Sequence, residues 1–436
     1  MGNSSRRRRD QRRAQTRATR APHGDADDDA QAVQQQIIGL IELAARFAVS
    51  APRSAGPRIV HLNELGATAP VPQLDPAALV VDQCLSRIRV AWEHGWQPQD
   101  LVHAARRRTS AASARWIARA VLVEADRTDA STRAPRPWAE QLEALASRHD
   151  HAGGPDGLLP PRGRAAVQEW TAALVAMTFL NELPRSQILV PPPSQWGTEQ
   201  RVSFAAPRSG GRHDKTLTKI RALLAKAEST EFAAEAEAFT AKAQDLMTRH
   251  SIDEALVADE QGGPVDVLGV RVLIHHPYAM EKASLLHVVA EANRTRAVWN
   301  DFASSATLVG VPTDVAQVEM LFTSTLVQAT RAMTRAGEES HGVDRSSSFR
   351  KAFLIAYAHR IGERLTSSSD DAVATYGSDL VPVFQRQEEA ISGEVERLFP
   401  RITSGSSRRR QLDLRGWEAG TRAADAAVLP AGAVES

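Results

Sequence analysis

The chain has 436 residues, 42% of them hydrophobic and 24% charged, an ordinary globular composition that supports a sizeable core and two or three domains. A single cysteine, Cys84, excludes an intrachain disulfide and a cysteine-built zinc site within one chain. Net charge is +1, with eight Arg against five Asp inside residues 1–29. The remainder is therefore slightly acidic, and any nucleic-acid affinity must come from that arm or from a local patch.

Residues 1–29 read as a disordered basic arm with an acidic end, in which Arg6, Arg7, Arg8 and Arg9 can touch a phosphate backbone without sequence preference. The arm has no apolar signal-peptide core, and Arg6 breaks the myristoylation pattern that MGNSS begins. From Gln31 to about Leu183 the pattern is helical. Ile37, Leu40, Ile41, Ala44 and Ala48 share one face. A Pro/Gly-containing connection over 51–76 precedes an amphipathic run from Leu79 to Trp92, where Cys84 reads as a buried structural thiol. Residues 95–125 give two helices with a short break. They can form a plain bundle, or a helix-turn-helix with Ser110–Glu124 reading bases and Arg106–Arg108 on phosphates, although the turn lacks its usual glycine. The longest apolar runs, 37–49 and 171–180, are too short or too charged to span a bilayer, so a cytoplasmic chain with no membrane contact is expected.

Residues 184–213, rich in Pro, Gly and Ser, read as a linker. KIRALLAKAESTEFAAEAEAFTAKAQDLMTRHSID (219–253) follows, with Ile220, Leu223, Leu224 and Ala227 on one face of a first helix. Phe232, Ala236, Phe239, Ala243, Leu246 and Met247 recur at three- and four-residue spacing on a second. Ser229 or Thr230 can cap that second helix, with Glu231 and Glu235 near its start. The simplest structure is a tight antiparallel helical hairpin with Lys215, Lys219, Arg221 and Lys226 outside the apolar stripe and His250 at its end. The segment resembles the signature of domain of unknown function family 2786, common in actinobacteria and their phages and plasmids, on Lys219–Ala227, Glu235-Ala236, Ala243-Gln244, Leu246-Met247 and His250. TLVGVPTDV (307–315), SFRKAFLIAYAHRIGERL (348–365) and GWEAG (416–420) are similar to the region that often follows it. That family has no assigned activity, so the resemblance implies a fold and almost no chemistry.

Residues 265–276 alternate as a strand, 280–294 form a short helix, and 295–300 with 305–311 form a hairpin. Asp314 opens a long helix, 336–348 is a polar loop, and 349–365 is the last strong helix. A basic loop and a short helix end the chain. This order from 215 to 335 is similar to a KH-type RNA-binding fold, without the GxxG loop. The expected class is mainly α with a small α+β unit. The expected domains are an arm (1–29), a helical domain (30–183), a linker (184–213), the signature hairpin (214–260), a small α+β unit (261–368) and a helical or irregular tail (369–436).

Arg350, Tyr357, Arg360 and Arg364 fall on one side of their helix, where they can grip an anion and stack a base on Tyr357, or simply pair with acids such as Glu363. His276 and His287, with Glu281, could form a three-ligand metal set, and His250 could join Asp253 and Glu254; core or capping histidines are the plainer readings. No P-loop, GxGxxG, GxSxG or HExxH occurs, so no cofactor and no catalytic group are assigned. Three functions follow: a non-enzymatic module associated with DNA, RNA or a nucleoprotein; an adaptor that binds another protein through the helical half; and a metal-dependent hydrolase.

Overall fold

The computed structural model describes residues 23–150, 153–197, 213–229, 242–243, 246–247, 249–252, 255–256, 263–339, 346–376, 381–402 and 413–427. Arg6, Arg7, Arg8 and Arg9 lie outside them, as do Thr230, Glu231, Phe232, Glu235 and Phe239 of the signature, and Asp253 and Glu254 beside His250. The chain divides into two compact units: residues through Glu93 with Gln97–Arg185, and His94–Trp96 with Ser186 onward. Among the described residues no helix is long and apolar enough to cross a membrane.

The first unit is all helical: α1 (His23–Ser50), α2 (Pro52–Thr68), α3 (Pro76–Glu93), α4 (Pro98–Arg108), α5 (Ala111–Arg127), α6 (Ala130–Arg133), α7 (Arg136–Ala146) and α8 (Val167–Asn181). The apolar stripe of α1 is buried at Ile37, Ile41, Ala44 and Ala48. This helix starts at His23, inside the stretch expected to be a disordered arm. The connection expected over 51–76 is also largely helical. Pro52 starts α2 at a position that needs no N–H, and Ala55, Ile59, Leu62 and Gly66 form a buried stripe that carries the helix past Pro57.

The break between α4 and α5 is a capped corner, with the Ser113 N–H donating to Ser110 Oγ at 3.1 Å. Beyond it, α5 buries Trp116, Ile117, Ala118, Ala120, Val121, Leu122 and Val123 and leaves one stripe open at Ala111, Ala112, Arg115 and Asp126. Most of α5 is thus core of a helical bundle, the plainer of the two readings of this corner. Tryptophans organise this core, each burying a large apolar ring. Trp92 and Trp138 meet edge to face at 5.6 Å. The Trp116 indole donates to the Leu158 carbonyl at 2.9 Å. The Trp170 indole donates to Asn63 Oδ1 at 2.7 Å, and Asn63 Nδ2 donates to the Ala165 carbonyl at 2.8 Å. Cys84 is fully buried, which pushes its thiol up and away from reactivity.

The second unit holds α9 (His213–Ser229), helical residues of the signature between 242 and 256, β1 (Leu268–Leu273), α10 (Ala279–Ala292), β2 (Arg296–Asn300), β3 (Ser305–Gly310), α11 (Pro312–Glu339), α12 (Ser347–Tyr376), α13 (Val381–Leu398) and α14 (Leu414–Asp425). The strands form one antiparallel sheet in the order β1-β3-β2. Mainly α with a small sheet is therefore the observed class. Ala306 and Leu308 of β3 join a core with Ile274, Leu286, Val289, Phe353 and Tyr357. Val309 faces the other way, into a cluster with Leu189, Ile391 and Leu398. Leu189 belongs to the stretch expected as a linker, and its side chain packs on the sheet. The Arg271 guanidinium donates to the Gln187 carbonyl at 3.1 Å and to the Gly95 carbonyl at 3.4 Å. Gly95 has φ +86°, and a Cβ there would stand 2.6 Å from the Gln187 carbonyl oxygen; only glycine fits.

Two helical boundaries differ from the sequence reading. The polar loop expected from 336 is still helix as far as Glu339, where α11 ends. The helix expected to end at Leu365 runs to Tyr376, and α13 follows it as a further long helix. Its buried positions, Val383, Gln387, Ile391 and Leu398, keep helical spacing, but a glutamine at a core position hides the stripe from a hydrophobicity reading.

Glu124 provides a test of the first unit. It is 0% exposed. The Arg89 Nε donates to its Oε1 at 2.7 Å, while Oε2 has no hydrogen-bond partner. Burial pushes its carboxyl above the ordinary 4.5, against the opposing pull of Arg89. The fold therefore favours the protonated acid. This contribution to stability is full below 4.5 and is lost as pH rises through the raised value. Urea unfolding across pH should show wild type losing stability relative to Glu124→Gln as pH rises from 4.5, whereas parallel curves would disprove the linkage.

Candidate functional site

The arginine face of α12 is built from a strongly periodic helix, but its charges are directed inward to α14. Arg360 Nε donates to Asp425 Oδ1 at 2.5 Å and its Nη1 to Glu363 Oε2 at 2.9 Å, and these partners raise its already high pKa. Arg364 Nη1 donates to the carbonyls of Ala424, Asp425 (3.2 Å) and Ala427 (2.6 Å), the end of α14. A cation among terminal carbonyls is a favourable helix cap. Gly416 and Gly420 let α14 approach; a Cβ at either would collide with the Phe349 or Phe353 carbonyl. Tyr357 is 1% exposed and stacked on Phe353 with 6.3 Å between ring centroids. It presents no face to a base. Arg350 is half-buried at the start of the same helix. The anion grip proposed for Tyr357, Arg360 and Arg364 is thus replaced by a helix clamp.

The histidine candidates are separated by ordinary packing. His276 lies beyond the end of β1, with its Nε2 3.2 Å from Ser304 Oγ. His287 is exposed on α10 beside Glu291, 3.9 Å away. Among the described residues no three His, Cys, Asp or Glu side chains stand together as a metal set, so the His276–His287–Glu281 arrangement does not form.

The signature has one buried and one charged side. Ile220, Leu224, Ala243 and Met247 form a core, with Met320 of α11 packed against it. Lys219, Arg221, Lys226, Lys242 and Arg249 are exposed; the side chain of Lys215 lies outside the described residues. At 100° per residue Lys219 and Lys226 fall on nearly the same line, about 10 Å apart along the axis. Next to half-buried His250, Ser251 ties the signature to the rest of the unit. Its hydroxyl donates to Asp314 Oδ1, and Arg294 Nη2 donates to Ser251 Oγ at 2.6 Å and reaches Asp314 at 3.4 Å. Gln317 Nε2 donates to the Met247 carbonyl at 3.1 Å. Arg294 also lies over the Phe384 ring at 4.7 Å.

Sequence reasoning missed this junction. Arg294 occupies the left-handed position after α10, with φ +51°. There the Thr295 N–H donates to the Ala290 carbonyl and the Arg294 N–H to the Glu291 carbonyl, the pattern that usually calls for glycine. An arginine in that place signals a side chain needed elsewhere. With Ser251 and Asp314 buried and each committed to another, the junction holds structure and offers no free nucleophile.

One open groove of about 1060 Å³ also lies in the second unit. Met280, Ala283, His287 and Glu291 of α10 form one wall, and Val395, Glu396 and Phe399, at the end of α13 and just beyond, form the other. All of β2 lines it between them.

The site is thus a helical signature with a basic surface, fastened to a small antiparallel sheet. Residues 215–254 match the family model described as Protein of unknown function (DUF2786), over the segment whose resemblance to that family is legible in the sequence. No curated protein and no solved structure matches the chain.

The buried Tyr357 hydroxyl has no hydrogen-bond partner, and burial pushes its pKa up. Tyr357→Phe should therefore be neutral or stabilising by up to about 1 kcal/mol in urea unfolding, since a desolvated, unsatisfied group is removed. A loss of more than that would show that the hydroxyl has a partner.

Proposed function

We propose that this protein is a non-enzymatic module that associates with nucleic acid or a nucleoprotein, and that the DUF2786 signature supplies its phosphate-contacting surface. The observation that carries this reading is the placement of Lys219 and Arg221. Both are exposed, and neither has an ion-pair partner among the described residues. They flank Ile220, which is 0% exposed and anchors the helix beneath them. Cations held on a fixed helix and not paired with any described acid suit a phosphate backbone, whose binding is sequence-tolerant and salt-dependent. Lys226, Lys242 and Arg249 extend the exposed charge. Arg360 and Arg364 contribute nothing to it, because they are engaged with α14.

Gel shifts of the full chain on a 20-base-pair duplex and on single strands, from 50 to 200 mM salt, test this. Binding should weaken steeply with salt. Lys219→Ala with Arg221→Ala should weaken it on every sequence and lower the salt slope by about 2. Arg360→Ala should leave it unchanged. No binding at 50 mM salt, or binding indifferent to the double variant, would remove the signature as the contact surface.

A further inference from the structure

We infer that the second unit binds an extended, lysine- or arginine-bearing peptide segment of a partner protein, which adds as a fourth strand to the outer edge of β2. Successive side chains of a strand point to opposite faces. Ala297 and Trp299 pack toward the main core, whereas Arg296 reaches Glu388 of α13 on the other face. The groove is lined by every residue from Arg296 to Asn300. A cavity that touches both faces of one strand must pass around its outer edge.

The register shows what that edge offers. The Ile274 N–H donates to the Ser304 carbonyl at 3.0 Å. In an antiparallel ladder bonding alternates. Given the pairing of Val272 with Ala306 and Val270 with Leu308, Ser304, Ala306 and Leu308 therefore turn their backbone groups to β1. Ser305, Thr307 and Val309 turn theirs to β2, opposite Asn300, Val298 and Arg296. The N–H and C=O groups of Ala297 and Trp299 are left facing outward, into the groove. No backbone bond from another element reaches them among the described residues. Proteins usually blunt such an edge. In β2 the one charged side chain, Arg296, is already neutralised by Glu388.

The surroundings define the occupant. Helical residues wall the edge on both sides, so a bare strand can enter, whereas the edge of a second copy, walled in the same way, cannot. The walls are apolar at Ala283, Val288, Val395 and Phe399, and Met280 and Ile402 stand 48% and 54% exposed at them. Glu291, Asp301 and Glu396 line the groove against Arg401 and His287, which stands beside Glu291, while Arg296 is held by Glu388. That excess of acid complements a peptide with basic residues among apolar ones. Main-chain hydrogen bonds would supply affinity and the alternating contacts would supply selectivity.

The test is an array of octapeptides alternating Val, Ile, Leu or Phe with Lys, Thr or Ser, read by fluorescence polarisation against the full chain. Lysine-bearing members should bind saturably, and copies carrying Glu in place of Lys should bind more weakly at low salt. Ala297→Pro removes an outward N–H that bonds nothing in the sheet, a change edge strands tolerate. It should weaken binding at least tenfold with the thermal midpoint retained. Should that variant fail to fold, Ile402→Lys, which removes an apolar contact and adds a like charge at the groove wall, and N-methylation of alternate peptide amides serve the same purpose, each expected to cost at least tenfold. In the free chain the amides of Ala297 and Trp299 should exchange faster than that of Val298, and slow on binding. The inference is overturned by an array with no saturable binder, by binding indifferent to N-methylation, or by self-association that Ala297→Pro abolishes, which would assign the edge to a second copy.

Discussion

The second unit depends on the complete burial of β3. All six of its residues are buried, and they are used on four sides. Ala306 and Leu308 pack into the larger core, Val309 packs against the α13 side, and the two backbone flanks pair with β1 and β2. With both flanks taken, the sheet cannot grow at its centre, and its two edges are fixed as β1 and β2. Every other placement follows from this. Helices α10, α11 and α12 cover one face, α13 covers the other, and the space left beside β2 becomes the groove.

Charge is distributed according to the same logic. On α12 the arginines look like a binding face when only the helical wheel is considered, because one helix viewed alone has no neighbours. Once Gly416 and Gly420 let α14 pack closely, the terminal carbonyls of α14 lie within reach of Arg364, and Asp425 lies within reach of Arg360. A guanidinium bonded to carbonyls and carboxylates of its own chain is already solvated by protein and has little to gain from an added phosphate. The signature helix differs, since its described cations at Lys219 and Arg221 face water. Arg294 is a third case. It accepts a left-handed backbone position so that its guanidinium can join Ser251 to Asp314 near the start of α11. An acid at that helix start is favoured by the helix dipole, and its burial is tolerated because Arg294 and Ser251 satisfy it.

Much of the fold is legible in the sequence where a single period governs a single face. The alternation around Val270 and Val272, the short hairpin closed by DFAS, and the apolar stripes of α1, α10 and α11 are all of this kind. Reading fails where two signals compete. Prolines at 52 and 57 suggest a connection, yet Ile59 and Leu62 hold a helix there. Gln387 breaks the apolar stripe of α13, although the position is buried. Ser110 and the arginines before it suggest a DNA-reading corner, while the apolar residues around most of α5 are what the bundle uses.

The sequence by itself determined the local elements, the helical class with its small sheet, and the signature segment over 215–254, because periodicity and short motifs are encoded within a few turns of chain. Only the tertiary structure decided which charges remain on display, which strand is an edge, and which distant residues meet at Arg294, Ser251 and Asp314. Those outcomes depend on what each face packs against. A residue's neighbours across a core come from elements far apart in the chain, and no local pattern carries their identity.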